Sequence, residues 1–356
     1  MSGNHNQRLE RAQVIVEAAA AAGAHAIKLQ TYTAVTMTLD VRGGSFEIND
    51  PDSLWAGQNL HDLYKKAYTP WEWHAPIMQR ARELGLICFS SPFDETAVDF
   101  LEDLGAPAYK IASFENNHLP LIAKAASIGM PLIISTGMAT LSELDDAVKT
   151  AREAGCKQLV LLKCTSNYPS SPENTNLRMI THLRQLFATE VGLSDHTMGI
   201  GAAVAAIALG ASVVDKHFTL ARADGGVDSA FSLEPSELSA LVLETERAWQ
   251  ALGEVRYGPT ESEQPSMRFR RSIYIVQDMK AGEVITREKL RVIRPGYGLA
   301  PKHYDSLLGR RVNRDLAIGN AMKWDYILSV FEQKVSLSKP NFNSIDHLTI
   351  RGKPCV

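Results

Sequence analysis

Glu190-Val-Gly-Leu-Ser-Asp-His196 and Val213-Val-Asp-Lys-His-Phe-Thr-Leu220 are two short apolar runs on either side of the helical stretch Ile200–Leu209. Runs of this length, apolar almost throughout and bounded by polar turns, are what strands covered on both faces look like in a parallel sheet. The same unit recurs upstream. Further candidate strands are Ala26–Thr31, Leu86–Ser91, Ala108–Ser113, Pro131–Thr136 and Leu159–Thr165, with helical stretches such as Arg8–Ala22, Trp71–Leu84, Glu95–Leu104 and Leu141–Ala154 between them. From the second strand onward the spacing is about 20 to 30 residues, which suits successive right-handed βα units. One long insertion, from Tyr32 to Pro70, interrupts it.

Seven strands, each followed by a helix, are one short of a closed eight-stranded barrel. The chain opens on Ser2-Gly-Asn-His-Asn-Gln7 and then a helix, which reads as a βα loop whose strand is missing. The expected fold is therefore α/β: a (β/α)8 TIM barrel lacking its first strand in this chain, with that strand expected before Met1. The alternative is an open, doubly wound sheet of seven strands. Polar residues end every strand, and in a barrel those ends converge on one site, which favours the barrel. The barrel is expected over 1–253 and a polar linker over 254–270, with Pro259 and Pro265. A small, mostly β domain is expected over 271–328, from the runs Ser272-Ile-Tyr-Ile-Val-Gln-Asp278 and Lys289-Leu-Arg-Val-Ile-Arg-Pro295. Residues 329–356 read as a tail without periodicity.

Composition narrows the function. The 356 residues carry 37 Lys and Arg against 40 Asp and Glu, so no global basic field draws nucleic acid or an anionic membrane. Any anionic ligand must be held by local cations. The four cysteines, Cys88, Cys156, Cys164 and Cys355, have no CxxC spacing and are expected as thiols of a reducing cytoplasm. The polar N-terminus has no signal-peptide core, and no apolar stretch is long enough to span a bilayer.

The strand ends carry the chemistry. Period-two alternation places Ser194 and His196 on one face of their strand, and Asp215, His217 and Thr219 on one face of the next. Adjacent strands lie roughly 4.8 Å apart, so two imidazoles at matching height could share one divalent ion. Two neutral His ligands leave positions for water and substrate, as a catalytic ion needs. The alternative is two unrelated histidines hydrogen-bonded at a barrel mouth. Lys28, Lys110, Lys163 and Lys216 also sit within apolar strands. A buried ammonium is costly without a counter-charge, so lysines recurring there suggest an anionic ligand. Neighbouring hydroxyls (Ser90, Ser91, Ser113, Ser135, Thr136, Thr165, Ser166, Ser194) suit a phosphate and a carboxylate. The alternative is that each lysine pairs with a local carboxylate, and Lys216, pointing away from the His217 face, is assigned to it. Trp71-Glu-Trp73-His74 reads as a helix start packing its aromatics.

Taken together these motifs resemble the sialic acid synthase family. SGNHN, AIKLQTY, SSPFD, YKIAS, STGMAT, KCTSNYP, GLSDHT and DKHFT stand in that family's order and spacing, and RRSIYIV, KAGEVIT, RPGYGL and GRR look like its C-terminal SAF (antifreeze-like) domain. The resemblance covers about Ser2 to Leu328. It implies an enzyme that condenses phosphoenolpyruvate with an N-acetylated amino-sugar aldose, built as a barrel plus SAF domain in a domain-swapped homodimer. His196 and His217 would hold Mn²⁺, with Mg²⁺ or Co²⁺ as substitutes. Lys28, Ser91, Lys110, Ser113, Ser135, Ser166 and Ser194 would match phosphoenolpyruvate-binding positions. Gln30, Tyr168 and Asp228 would match sugar-binding positions, and Arg294 would reach into the partner's active site. His196, His217, Lys110 and Asp215 are the expected catalytic group, and Asp215 stands where the family usually has Glu. A catalytic Glu of the family's first strand would fall before Met1.

Within the family, Gly226-Val-Asp-Ser-Ala-Phe-Ser232 lacks the His and Lys usual in the N-acetylneuraminate branch and adds Phe231. A less polar loop suits a 6-deoxy sugar with a methyl group, and SGNHN and RPGYGL look like the pseudaminic acid synthase branch. Two other classes compete. The 3-deoxy-sugar acid synthases lack a SAF domain, so RPGYGL argues against them. A non-catalytic sugar-binding module is the other.

Overall fold

The structure is a computed structural model and describes residues 1–328. The tail expected over 329–356, with Cys355, lies outside the described residues. The chain divides into two compact units, Met1–Glu254 and a second that begins at Val255.

The first unit alternates strands and helices. Its strands are β1 (Ala26–Thr31), β2 (Ile87–Pro92), β3 (Tyr109–Ile111), β4 (Leu132–Ser135), β5 (Leu159–Cys164), β6 (Glu190–Asp195) and β7 (Val213–Lys216). All seven fall where the apolar runs placed them. They pair in parallel, in the order β1 to β7, so each βα unit lays its strand beside the preceding one. Among the described residues β1 and β7 are the outer strands and do not pair with each other. The sheet nevertheless curls far enough that Lys28 Nζ of β1 lies 2.6 Å from Asp215 Oδ2 of β7. It is an incomplete (β/α) barrel, as the seven runs imply, and not a doubly wound sheet.

Ten helices accompany these strands: α1 (Leu9–Ala21), α2 (Ala34–Met37), α3 (Leu60–Ala67), α4 (His74–Glu83), α5 (Glu95–Asp103), α6 (Leu119–Ser127), α7 (Leu141–Glu153), α8 (Met179–Phe187), α9 (Gly201–Ala208) and α10 (Pro235–Leu252). Their local causes are legible. Asp94 accepts the Ala97 N–H at 2.9 Å and starts α5, and Thr140 with Glu143 forms a capping box at the head of α7. In α1, Ala12, Ile15, Val16 and Ala19 recur at helical spacing and are fully buried against the sheet. Ile134 and Leu161 face the same layer. Truncating either to Ala would cost about 2–5 kcal/mol, the usual range for a buried branched side chain. Gly192 on β6 has no room for a side chain, since a Cβ there would fall 2.2 Å from the Val213 carbonyl oxygen.

The second unit pairs β8 (Ser272–Ile275) with β9 (Leu290–Ile293) antiparallel. Isolated bridges such as Met279↔Leu316 and Val312↔Ile327 tie the remaining turns to it. Its own core includes Ile273, Ile275, Met279, Leu307, Val312 and Met322, each almost fully buried. The polar stretch before it is not structureless, because Glu261–Phe269 winds into a 3-10 helix capped by Thr260 and Glu263. The proline-bearing sequence hid that turn.

Candidate active site

The C-terminal ends of β1 to β7 surround a cavity of about 720 Å³. Twelve of the side chains expected at the site line it: Lys28, Gln30, Ser91, Lys110, Ser113, Ser135, Ser166, Tyr168, Ser194, His196, His217 and Asp228. Strand register explains the convergence. Gln30 is the register partner of Ser91, and Ser194 is the register partner of both Cys164 and Asp215, so alternate residues of successive strands share one interior level.

One wall is cationic. Asp215 accepts from Lys28 at 2.6 Å and also pairs with Lys110, whose ammonium reaches Ser194 Oγ at 3.4 Å. Burial pulls Lys28 down to about 8 against the pull of Asp215. For Asp215 burial opposes ionisation, but the two ammonium groups outweigh it and hold the carboxyl well below its usual range. Lys110 is likewise held up by Asp215 despite its burial. Two cations therefore share one carboxylate and leave one positive charge uncompensated in a buried place, which an anion can neutralise. Beside them Ser166 Oγ donates to Ser113 Oγ at 2.7 Å, and Ser135 Oγ is buried without a partner. Gly137 follows at φ +48°, and a Cβ there would meet Ser113 Cβ at 2.6 Å, so only glycine lets this loop close against the hydroxyls.

The histidines lie just beyond, at the ends of β6 and β7, two residues past Ser194 and Asp215. The His196 and His217 rings lie 5.4 Å apart between centroids at 64°. His196 Nδ1–H donates to the Thr165 carbonyl at 2.9 Å, so Nε2 is the ring nitrogen left for a ligand. Burial, then the neighbouring His196 and Lys28, keep the His217 imidazole neutral, and its Nδ1 is buried with no hydrogen-bond partner. Two imidazoles side by side, that of His217 held neutral with an orphaned nitrogen, fit a divalent ion with open positions. No cluster of three His, Cys, Asp or Glu is found among the described residues, and these two imidazoles are the candidate ligands. Tyr168 packs against His196 at 4.3 Å, and Phe231 against His217 at 4.8 Å. Asp228 Oδ2 lies 3.9 Å from His217 Nδ1 and accepts from Ser2, whose hydroxyl also lies 2.8 Å from Gln30 Oε1. Burial raises the Asp228 carboxyl, opposed by those donors.

Some side chains stand apart. Lys163 was grouped with the anion-binding lysines, but its Nζ donates to the Cys164 carbonyl at 2.7 Å and to Thr165 Oγ1, away from the cavity. It occupies the odd position of β5, facing the helices. Ser90 also turns away, bonded to Thr31 Oγ1 at 2.7 Å. Lys216 pairs with Asp195 at 2.7 Å outside the cavity, as assigned. Trp71 stacks on Phe100, and His74 bonds Thr31, so that run is packing. Arg294 belongs to the second unit, is exposed, and forms no ion pair among the described residues.

Among the cavity residues that the sequence reading did not assign are Ser2, Glu115 and Trp55. Ser2 lay within a quoted motif without a role. Glu115, two residues past Ser113, lines the cavity with Oε2 buried and unpartnered, and burial pushes its carboxyl up to about 7. Its signal was an acidic residue just past the end of β3. Trp55 comes from the Tyr32–Pro70 insertion, where no periodicity marks it.

Comparison with known proteins agrees with this geometry. Residues 15–257 match the NeuB family and residues 270–327 the SAF domain. The chain is 42% identical to a pseudaminic acid synthase of Campylobacter jejuni, over 91% of this chain and 94% of that one. It is 36% identical to an N,N'-diacetyllegionaminic acid synthase of Legionella pneumophila, over 91% and 92%. A solved N-acetylneuraminic acid (sialic acid) synthetase of Leptospira borgpetersenii, in complex with citrate, aligns at a TM-score of 0.66 and 31% identity, covering 75% of this chain and 88% of that one.

Proposed function

The chain belongs to the NeuB family of phosphoenolpyruvate-condensing nonulosonic acid synthases, and on that premise we propose that it forms pseudaminic acid from 2,4-diacetamido-2,4,6-trideoxy-L-altrose. The observation that carries the reading is one cavity lined both by two lysines that share a single carboxylate and by two adjacent imidazoles. Lys28, Lys110 and the hydroxyls of Ser91, Ser113, Ser135, Ser166 and Ser194 bind the phosphate and carboxylate of phosphoenolpyruvate. Gln30, Tyr168 and Asp228 hold the open-chain sugar. His196 and His217 would hold a divalent ion, Mn²⁺ foremost, which supplies Lewis acidity to the aldehyde oxygen.

The enol carbon of phosphoenolpyruvate then bonds to the aldehyde carbon, and the carbonyl π pair moves onto oxygen. The cation left at C2 takes water, which returns one proton to the Glu115 carboxylate once that acid has protonated the alkoxide. The remaining hydroxyl proton passes to the departing phosphate as the bond from C2 to the phosphate oxygen breaks and the C2 carbonyl forms. Glu115 holds a proton to about pH 7 and can give it to the new alkoxide. Lys110 and Lys28 stay charged against the departing phosphate, in the preorganised manner that lowers such barriers.

The altrose-type acceptor is favoured by Val227 and Asp228, which line the cavity with one apolar side chain and one carboxylate and no second charge, and by the higher identity to the pseudaminic than to the legionaminic relative. Phosphate release should be measured with this sugar, its stereoisomers and N-acetylmannosamine as acceptors. The altrose derivative should give the highest kcat/KM. A stereoisomer or N-acetylmannosamine turned over as well or better would move the protein to another branch. A homodimer in which Arg294 serves the partner's cavity belongs to the same proposal.

A further inference from the structure

Trp55 lies in the insertion between β1 and α3. Its neighbours Leu54, Ala56 and Gly57 are exposed, yet its own ring is half-buried and lines the cavity. The indole N–H donates to the Val227 carbonyl at 2.9 Å, next to Asp228. The ring sits 5.9 Å from Tyr168, which in turn lies 5.2 Å from Phe231. Trp55 and Tyr168 thus form an aromatic wall of the cavity that ends at the two imidazoles, while Phe231 is buried against Tyr168 and His217 and does not line the cavity. The single donor of Trp55 is already used on Val227, so the indole has no polar group left for a ligand. A substrate hydroxyl pressed against it loses water and gains no partner, whereas a methyl group gains contact.

We infer that Trp55 is a specificity-determining residue of the acceptor site, presenting an apolar face to the methyl end of a 6-deoxy diacetamido aldose and excluding a hydroxymethyl group. This rests on the acceptor proposed above. The groups proposed to hold phosphoenolpyruvate do not include Trp55, and Trp55 itself contacts Val227 and Tyr168. The competing role is a brace, in which the Trp55–Val227 hydrogen bond merely holds the Asp228 loop. A brace would affect every acceptor alike.

The test is equilibrium binding by calorimetry in the presence of phosphoenolpyruvate. The probes are the two borohydride-reduced sugars, which cannot condense: the 6-deoxy diacetamido alditol and N-acetylmannosaminitol. Trp55→Ala should weaken the deoxy alditol at least tenfold and N-acetylmannosaminitol less than threefold, with phosphoenolpyruvate affinity within twofold of the parent. Trp55→Phe keeps an apolar ring without the N–H, and should retain the parent's preference within threefold. Equal weakening of both alditols, or no change in either, would overturn the inference. Loss of the preference in Trp55→Phe as in Trp55→Ala would point to the brace and overturn it too. If the parent protein itself prefers N-acetylmannosaminitol, the proposed acceptor fails. The inference on Trp55 is then judged separately, and falls unless Trp55→Ala changes the ratio of the two affinities.

Discussion

Glu115 shows what burial does to a single carboxyl. Its Oε2 has no partner and its proton is retained to about pH 7, well above the ordinary 4.5. Between those two values the folded protein binds a proton that the unfolded chain has released. Stability contributed by the neutral acid is therefore present below about pH 4.5 and is lost as pH rises through about 7. Glu115→Gln removes the charge and keeps the shape. At pH 8 the variant should be more stable than the parent, by on the order of 2 kcal/mol, with little difference at pH 4.5. Urea unfolding at the two pH values measures this. Equal stability increments at both would mean that Glu115 titrates normally. If the proton of Glu115 also serves the alkoxide, the same substitution should lower kcat more than it raises either KM.

Strands β6 and β7 show how an element aims a site. His196 and His217 follow Asp195 and Lys216 directly, and those two form an ion pair on the other side of the strands, each almost fully buried. Asp195 also accepts from the Thr197 N–H and hydroxyl, and Lys216 donates to the Thr197 carbonyl. The pair locks the strand ends that carry the imidazoles. Removing one partner leaves a buried charge alone, so Asp195→Ala should cost about 3–5 kcal/mol. The joint replacement Asp195→Leu with Lys216→Met should cost much less. Both should weaken Mn²⁺ binding, read by calorimetry, if the pair positions the histidines; unchanged Mn²⁺ affinity in the joint variant would reduce it to a packing device. This element was largely legible in sequence, because period-two alternation put Lys216 opposite His217. The same rule was available for Lys163, which alternates with Cys164 and faces the helices, but the count of strand lysines obscured it. Trp55 lay beyond such rules altogether. Its place depends on how an aperiodic insertion folds over the cavity, and no local pattern encodes that.

At the scale of the molecule, charge is divided unevenly. Met1–Glu254 carries thirty Asp and Glu against nineteen Lys and Arg, whereas Val255–Leu328 carries fourteen Lys and Arg against eight Asp and Glu. An acidic unit and a basic one attract, within a chain or between chains. Each also keeps large apolar side chains in water: Phe114, Met138 and Met198 on loops that follow β3, β4 and β6, and Tyr297 and Ile318 in the second unit. Such surface favours association. A condensation through a cationic carbon also needs bulk water held away. These features support the proposed homodimer, in which Arg294 of one chain completes the cavity of the other. Arg294→Ala and His217→Ala should each be nearly inactive alone. Mixed and allowed to exchange subunits, they should regain part of the activity, because one site of each mixed dimer then has its own His217 and the partner chain's Arg294 intact. Native mass spectrometry would establish that mixed dimers have formed. If they form and no activity returns, Arg294 serves its own chain's cavity, since in that arrangement every site of the mixed dimer would carry one of the two lesions.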